Sequence, residues 1–143
     1  MKSKRYLVLV VIVVVAGLAG GQMFVKGQNR PSASKVAVVW TSGDSEVAHK
    51  VCFMYTHNAK RAKWFDEVVL VIWGPSSRIL AGDKKLQEAV KEMMNDGVVV
   101  QACVVCADMY GVADRLREMG IEVKGMGRPL SDMLKGDYKV ITF

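Results

Sequence analysis

Residues 98–111, Val-Val-Val-Gln-Ala-Cys-Val-Val-Cys-Ala-Asp-Met-Tyr-Gly, pass from a strand pattern into a helix pattern. The β-branched apolar start is typical of a buried strand. Further on, Val112, Leu116 and Met119 repeat at helical spacing, which predicts one helix from the cysteines to that point. Cys103 therefore lies where a strand ends and a helix begins. Because free amides and the helix dipole favour a thiolate there, we expect an accessible, readily ionised sulfur at position 103.

Strand and helix patterns alternate on both sides of this stretch. The alternation predicts a single α/β domain over residues 35–143, with a mainly parallel five-stranded sheet and helices on both faces, in three layers. We predict strands at 35–41, 67–73, 98–103, 121–124 and 138–143, and helices at 46–63, 74–80, 83–94, 104–119 and 129–134.

The start and the buried side of the first helix follow from its local sequence. Ser42 or Asp44 is expected to cap it, since both are good hydrogen-bond acceptors for free helix amides. Five residues lie along one side of this helix, which is the side expected to pack: Val47, Val51, Met54, Tyr55 and Asn58.

Loops that follow parallel strands meet at one edge of the sheet, where ligands and catalytic groups gather. Four loops are expected at this edge: 41–45, 74–77, 102–106 and 125–128. The last contains Gly125-Met-Gly127, which lacks the spacing of a dinucleotide-binding motif, and no cofactor is predicted.

The net charge of +6 is concentrated at the N-terminus. Five of the 20 Lys and Arg residues, and none of the 14 acidic residues, lie in residues 1–30. The remainder is close to neutral and shows no cluster of cations suited to phosphates, so we predict no nucleic-acid partner.

The N-terminal segment, residues 1–26, combines a cationic start with an apolar run from Tyr6 to Val25. As a helix the run would span about 30 Å, the thickness of a bilayer core. Small residues at 17–19 also suit a signal peptidase, so an uncleaved membrane anchor and a cleaved signal peptide both remain open. Residues 27–34 have the composition of a polar linker. We predict a membrane-anchored or exported protein with an extracytoplasmic domain.

The spacing of Cys103 and Gly111, after a buried strand, resembles the sulfur-relay cysteine of the DsrE/DsrF-like family. Two features depart from the relay pattern: Cys106 creates a Cys-x-x-Cys, and Met109 and Tyr110 replace paired arginines. The resemblance covers about residues 35–143, and further matching segments are 36–44 (VAVVWTSGD), 73–76 (WGPS), 120–123 (GIEV) and 139–143 (KVITF).

The resemblance implies the DsrE-like fold and a sulfur carrier in which Cys103 holds a persulfide. It also implies a sulfur donor or acceptor protein as partner and a homo-oligomer. Whether the protein is an enzyme, as a sulfurtransferase-like carrier, is left open.

Three alternatives accompany this hypothesis. Cys103 and Cys106 suit a thiol-disulfide redox pair, although no proline lies near them in sequence and Pro75 or Pro129 would have to approach in space. The cysteines are incidental if the domain is a non-enzymatic oligomeric binding module. His49 and Cys52 could join the pair as four zinc ligands, an interpretation that we do not adopt, and no metal is predicted.

Overall fold

The structure is a computed structural model that describes residues 34–143. The predictions for residues 1–26 and for the linker up to residue 33 lie outside the described residues. Within the described residues, no helix combines the length and the apolarity needed to cross a bilayer.

The elements alternate as predicted and form one five-stranded sheet in the order β4-β3-β2-β1-β5. All four strand pairs are parallel. The strands are β1 (Lys35–Trp40), β2 (Glu67–Ile72), β3 (Val99–Cys103), β4 (Glu122–Lys124) and β5 (Tyr138–Thr142). The helices are α1 (Ser45–Val47, Ala48–Phe53 and Met54–Arg61 in succession), α2 (Pro75–Gly82), α3 (Lys84–Asn95), α4 (Val104–Met109), α5 (Ala113–Glu118) and α6 (Gly127–Lys135).

The two faces of the sheet have separate apolar cores, because successive side chains of a strand point to opposite sides. Val36, Val38 and Trp40 of β1 belong to a large first-face core, which includes buried residues of α1 to α5. Ala37 and Val39 belong to a smaller second-face core, which α6 covers. The predicted α/β architecture with helices on both faces is confirmed.

The predicted packing side of α1 is wrong in part, although Tyr55 on that side does pack against the first-face core. Val51 and Met54 are 41% and 57% exposed, whereas the buried positions are occupied by Ala48, Cys52, Phe53, Thr56 and Ala59. The middle segment of α1 is π-helical, which adds a residue to the turn and rotates the later turns of the helix relative to a 3.6-residue repeat.

The cysteine helix is shorter than the periodicity predicts. α4 ends at Met109, and α5 begins only at Ala113. Gly111 has a φ of +66°, a left-handed conformation that stops a helix and favours glycine. The Val112 amide bonds back to the Ala107 carbonyl at 2.8 Å, which closes the end of α4. The predicted continuous helix is therefore two helices joined at a glycine.

Helix caps explain where other elements begin. Asp44 caps α1 through its carboxylate, which accepts from the Glu46 amide at 2.7 Å, and Asp83 caps α3 in the same way through the Lys85 amide at 2.8 Å. Satisfying these amides stabilises the first turn. The cap predicted at Asp44 is confirmed.

Candidate thiol site at the carboxyl edge of the sheet

Cys103 is the last residue of β3 and the N-cap of α4, as the sequence predicted. Its side chain belongs to the second-face core, together with Val71 and Met126. Only 5% of the residue is exposed. The expectation of an openly accessible sulfur at this position is therefore wrong, because the strand register turns Cys103 inward under that core.

Cys106 is the more exposed thiol of the pair. It lies in the first turn of α4, is half-buried, and packs against the second-face core that contains Cys103. Burial raises the pKa of Cys106, and a hydrogen bond with Cys103 raises it further. The sequence pair Cys103 and Cys106 is thus brought into direct contact.

The turn after β2 contributes a third group to this site. The Gly74 amide donates a hydrogen bond to the Cys106 sulfur, which favours the thiolate and partly offsets the raised pKa of Cys106. The buried Ser76 hydroxyl holds this turn, donating to the Trp40 carbonyl at 2.6 Å and accepting from the Trp73 amide at 3.0 Å. The loop that starts at Gly74 and Pro75 therefore lies beside the cysteines, although it is distant from them in sequence.

A side chain at Gly74 is expected to destabilise the folded protein. Its φ of 71° and ψ of −134° lie where only glycine is comfortable, so Gly74→Ala should lower the free energy of unfolding by about 2 kcal/mol. No neighbour lies within 4 Å of the added methyl group, so the cost is conformational and not steric. Urea unfolding measures the loss.

Gly82→Ala is the matched control for Gly74→Ala. It also meets no neighbour within 4 Å, but it lies at the end of α2 without a positive φ. We expect its effect to stay within about 1 kcal/mol of zero. Equal losses in the two variants would contradict the conformational explanation.

Cys52 lies on the other side of the sheet from the pair. It is fully buried in the first-face core, whereas Cys103 belongs to the second-face core. The sheet thus separates Cys52 from the pair, so the four-ligand zinc alternative with His49 is wrong. Among residues 34–143, no group of three or more potential ligands is placed to hold a metal ion. Burial raises the pKa of Cys52 to about 12.

This pKa predicts a stability loss in alkali. The folded protein binds the Cys52 proton more tightly than the unfolded chain, whose thiol titrates near 9.0. The contribution of Cys52 is complete below pH 9 and is lost as the pH rises toward 12. Between about pH 9 and pH 11 the difference in unfolding free energy between wild type and Cys52→Ala should shrink by about 2 kcal/mol. Urea titrations in a thiol-free reductant test this, and parallel pH profiles would contradict it.

Apolar side chains are exposed around the thiol pair. Val105 and Met109, one turn apart on α4, are 61% and 80% exposed, and Tyr110 is 39% exposed. The guanidinium of Arg78 lies 5.5 Å from the centre of the Tyr110 ring. We call Val105, Met109 and Tyr110 the thiol rim. An apolar cluster at a functional edge is typical of a surface that contacts another protein.

Two groups near the sulfur atoms were not found from the sequence. The Gly74 amide is a backbone group, so the sequence gives no sign of its role. Its approach to the Cys106 sulfur depends on how α2 packs. Lys124 is the strand neighbour of Cys103 in the register of β3 and β4. A lysine on a short strand gives no signal of function in the sequence, and its approach to Cys103 depends on the pairing of β3 with β4.

The fold and site define a class of proteins: parallel α/β domains with a thiol at the junction of a central strand and the next helix. The chain belongs to the DsrE/DsrF-like family, whose model matches residues 34–143.

Two solved structures are similar to it. A conserved protein of unknown function from Bacteroides thetaiotaomicron, BT1422, is 30% identical with a TM-score of 0.74, over 77% of this chain and 95% of that chain. The YchN protein of E. coli is 18% identical with a TM-score of 0.60, over 77% of this chain and 99% of that chain, and shows the fold alone. No curated protein matches this chain.

Proposed function

We propose that this protein is a sulfur carrier that holds a persulfide on Cys103. The observation that carries the proposal is the position of Cys103 at the junction of β3 and α4, at the carboxyl edge of the sheet, with the Cys106 thiol packed against the same core. We assign the carrier role to Cys103 because it is the residue at which β3 ends and α4 begins. The family to which the chain belongs supports the proposal, because its members often act in sulfur relay.

The loading step is a transfer between sulfur atoms. The Cys103 thiolate attacks the outer sulfur of a donor persulfide, R–S–SH, and a new S–S bond forms. The S–S bond of the donor breaks, and the donor leaves as a thiolate with the electron pair. Delivery is the same step with an acceptor thiolate as the nucleophile. No outside oxidant or reductant is needed.

Access to the buried Cys103 sulfur passes through Cys106. Cys106 is the more exposed thiol and lies against Cys103, so we place it at the entrance to the site. The thiol rim surrounds this entrance with exposed apolar surface, which suits contact with a donor or acceptor protein. The partner thus brings its sulfur past Cys106 to the Cys103 thiolate.

Mass spectrometry of the full-length protein tests the proposal. The reduced protein is incubated with a low-molecular-weight persulfide, freed of donor, and fragmented to locate added sulfur. We expect one extra sulfur atom on Cys103 and none on the buried Cys52, whereas the urea-unfolded chain should be modified without preference. Absence of added sulfur at Cys103 would overturn the proposal.

A thiol-disulfide redox pair is the second candidate, and the contact between Cys103 and Cys106 favours it. In that reaction the two thiols give two electrons and two protons to a partner disulfide and become a disulfide themselves. Equilibration with oxidised and reduced glutathione separates the candidates. A redox pair forms the Cys103–Cys106 disulfide reversibly and retains no outer sulfur. If both thiols stay inert, the domain is a non-enzymatic binding module.

We also propose that residues 1–26 anchor or export the domain and that copies of the chain associate. The apolar run and the cationic start of the sequence support the first point. Cell fractionation with N-terminal sequencing distinguishes a retained anchor, a cleaved signal and a chain free of membranes. Light scattering of the purified protein measures its oligomeric state.

A further inference from the structure

Lys124 and Cys103 share one face of the sheet. They are Cα partners in the parallel register of β3 and β4, and partners in such a register point to the same side. Val123 packs against the first-face core, so its neighbours Glu122 and Lys124 point to the opposite face, where the Cys103 side chain lies. A cation thus stands on the strand beside the proposed carrier sulfur.

The lysine is held by a carboxylate on the same strand. Lys124 Nζ lies 2.8 Å from Glu122 Oε1, and Gln101 Nε2 donates to Glu122 Oε2 at 2.7 Å. Adjacent strands are about 4.8 Å apart, a distance that the four-carbon stem of a lysine spans. The ammonium of Lys124 can therefore pair with Glu122 or turn to a charged sulfur at position 103.

We propose that Lys124 is the cation that pairs with anionic sulfur at Cys103 and that Glu122 competes for it. This inference rests on the proposed function. Loading leaves a persulfide on Cys103 that is negatively charged once its proton is lost, and an ammonium beside it stabilises that charge in a partly buried site. With a neutral thiol at position 103, Lys124 stays with Glu122. The same cation makes the site selective for sulfur donors that carry a negative charge.

A pair of alkylating reagents measures this charge. Iodoacetate and iodoacetamide react with the same thiolate, so the ratio of their rates at Cys103 reports the local charge and not the thiolate fraction. All variants carry Cys106→Ser, which retains a hydroxyl group at position 106. Cys103 is then the thiol at the carboxyl edge of the sheet that the reagents can alkylate. Peptide mass spectrometry follows the product at Cys103 in the full-length protein.

Opposite shifts are expected from the two partners of the ion pair. Lys124→Gln should lower the iodoacetate-to-iodoacetamide ratio by about three- to tenfold, and Glu122→Gln should raise it by a similar factor. Lys124→Arg should keep the wild-type ratio, because it keeps the charge. If the ion pair only supported the local structure, either substitution would break it, and the ratio would shift in the same direction in both variants. Unchanged ratios, or no alkylation of Cys103 by either reagent, would overturn the inference.

The outcome separates this inference from the proposed function. If the wild type gains sulfur on Cys103 but the ratios do not move, Cys103 is a carrier without assistance from Lys124. If the ratios move but no sulfur is gained, the charge is present and the carrier proposal fails.

Discussion

Cys103→Ser is expected to reduce retained sulfur to about 1% of the wild-type amount or less, because a hydroxyl cannot replace the thiolate as the attacking and carrying group. Serine is close to cysteine in size, so the second-face core around position 103 keeps its packing. The measurement is the fraction of protein that carries an extra sulfur after exposure to a small persulfide and removal of the donor.

Two other cysteine variants serve as controls for Cys103→Ser. Cys52→Ala changes a thiol on the opposite face of the sheet, and loading should be unaffected. Cys106→Ser retains a hydrogen-bond donor beside Cys103, so the protein should still load. Retained loading in Cys103→Ser together with its loss in Cys106→Ser would transfer the carrier role to position 106.

Met126→Ala is expected to lower the free energy of unfolding by about 3 kcal/mol, because it leaves a cavity in the second-face core. Met126 is fully buried and belongs to the same core as Cys103. Its backbone carbonyl still accepts from the Leu130 amide after the change, so the start of α6 is preserved. Urea unfolding with reduced thiols gives the loss directly.

Met109→Ala is the matched control, since it removes the same atoms from a residue that is 80% exposed. We expect a change within about 0.5 kcal/mol. The two variants should also differ at the site. The cavity left at position 126 should speed the alkylation of Cys103 by iodoacetamide, whereas truncation at position 109 removes part of the thiol rim and should weaken contact with a partner. Similar stability losses in the two variants would show that the second-face core does not depend on Met126.

Much of the architecture could be predicted because it depends on short-range signals. The apolar runs of β1 and β2 and the strand that ends at Cys103 were found with bounds that differ by one residue. Asp44 and Asp83 mark the starts of α1 and α3, because a carboxylate at the first turn satisfies free amides next to it in sequence.

Other features were misjudged because they depend on packing or on a single backbone angle. The positive φ of Gly111 splits the predicted cysteine helix, although apolar residues continue at helical spacing beyond it. The π-helical segment of α1 turns Val51 and Met54 outward. The dipole of α4 is also smaller than a long helix would provide, because α4 has only 6 residues. At Cys106, burial and the neighbouring Cys103 raise the pKa, and the Gly74 amide partly offsets the rise.

The sequence by itself determined the order of strands and helices, the parallel α/β class and the position of two thiols where a strand meets a helix. These properties follow from residues within a few positions of one another. Only the tertiary structure decided that Cys103 is buried while Cys106 is half-exposed, that Cys52 lies across the sheet, and that Gly74 and Lys124 lie beside the pair. Strand register and helix packing join residues that are distant in the chain, and no local pattern encodes which of them meet.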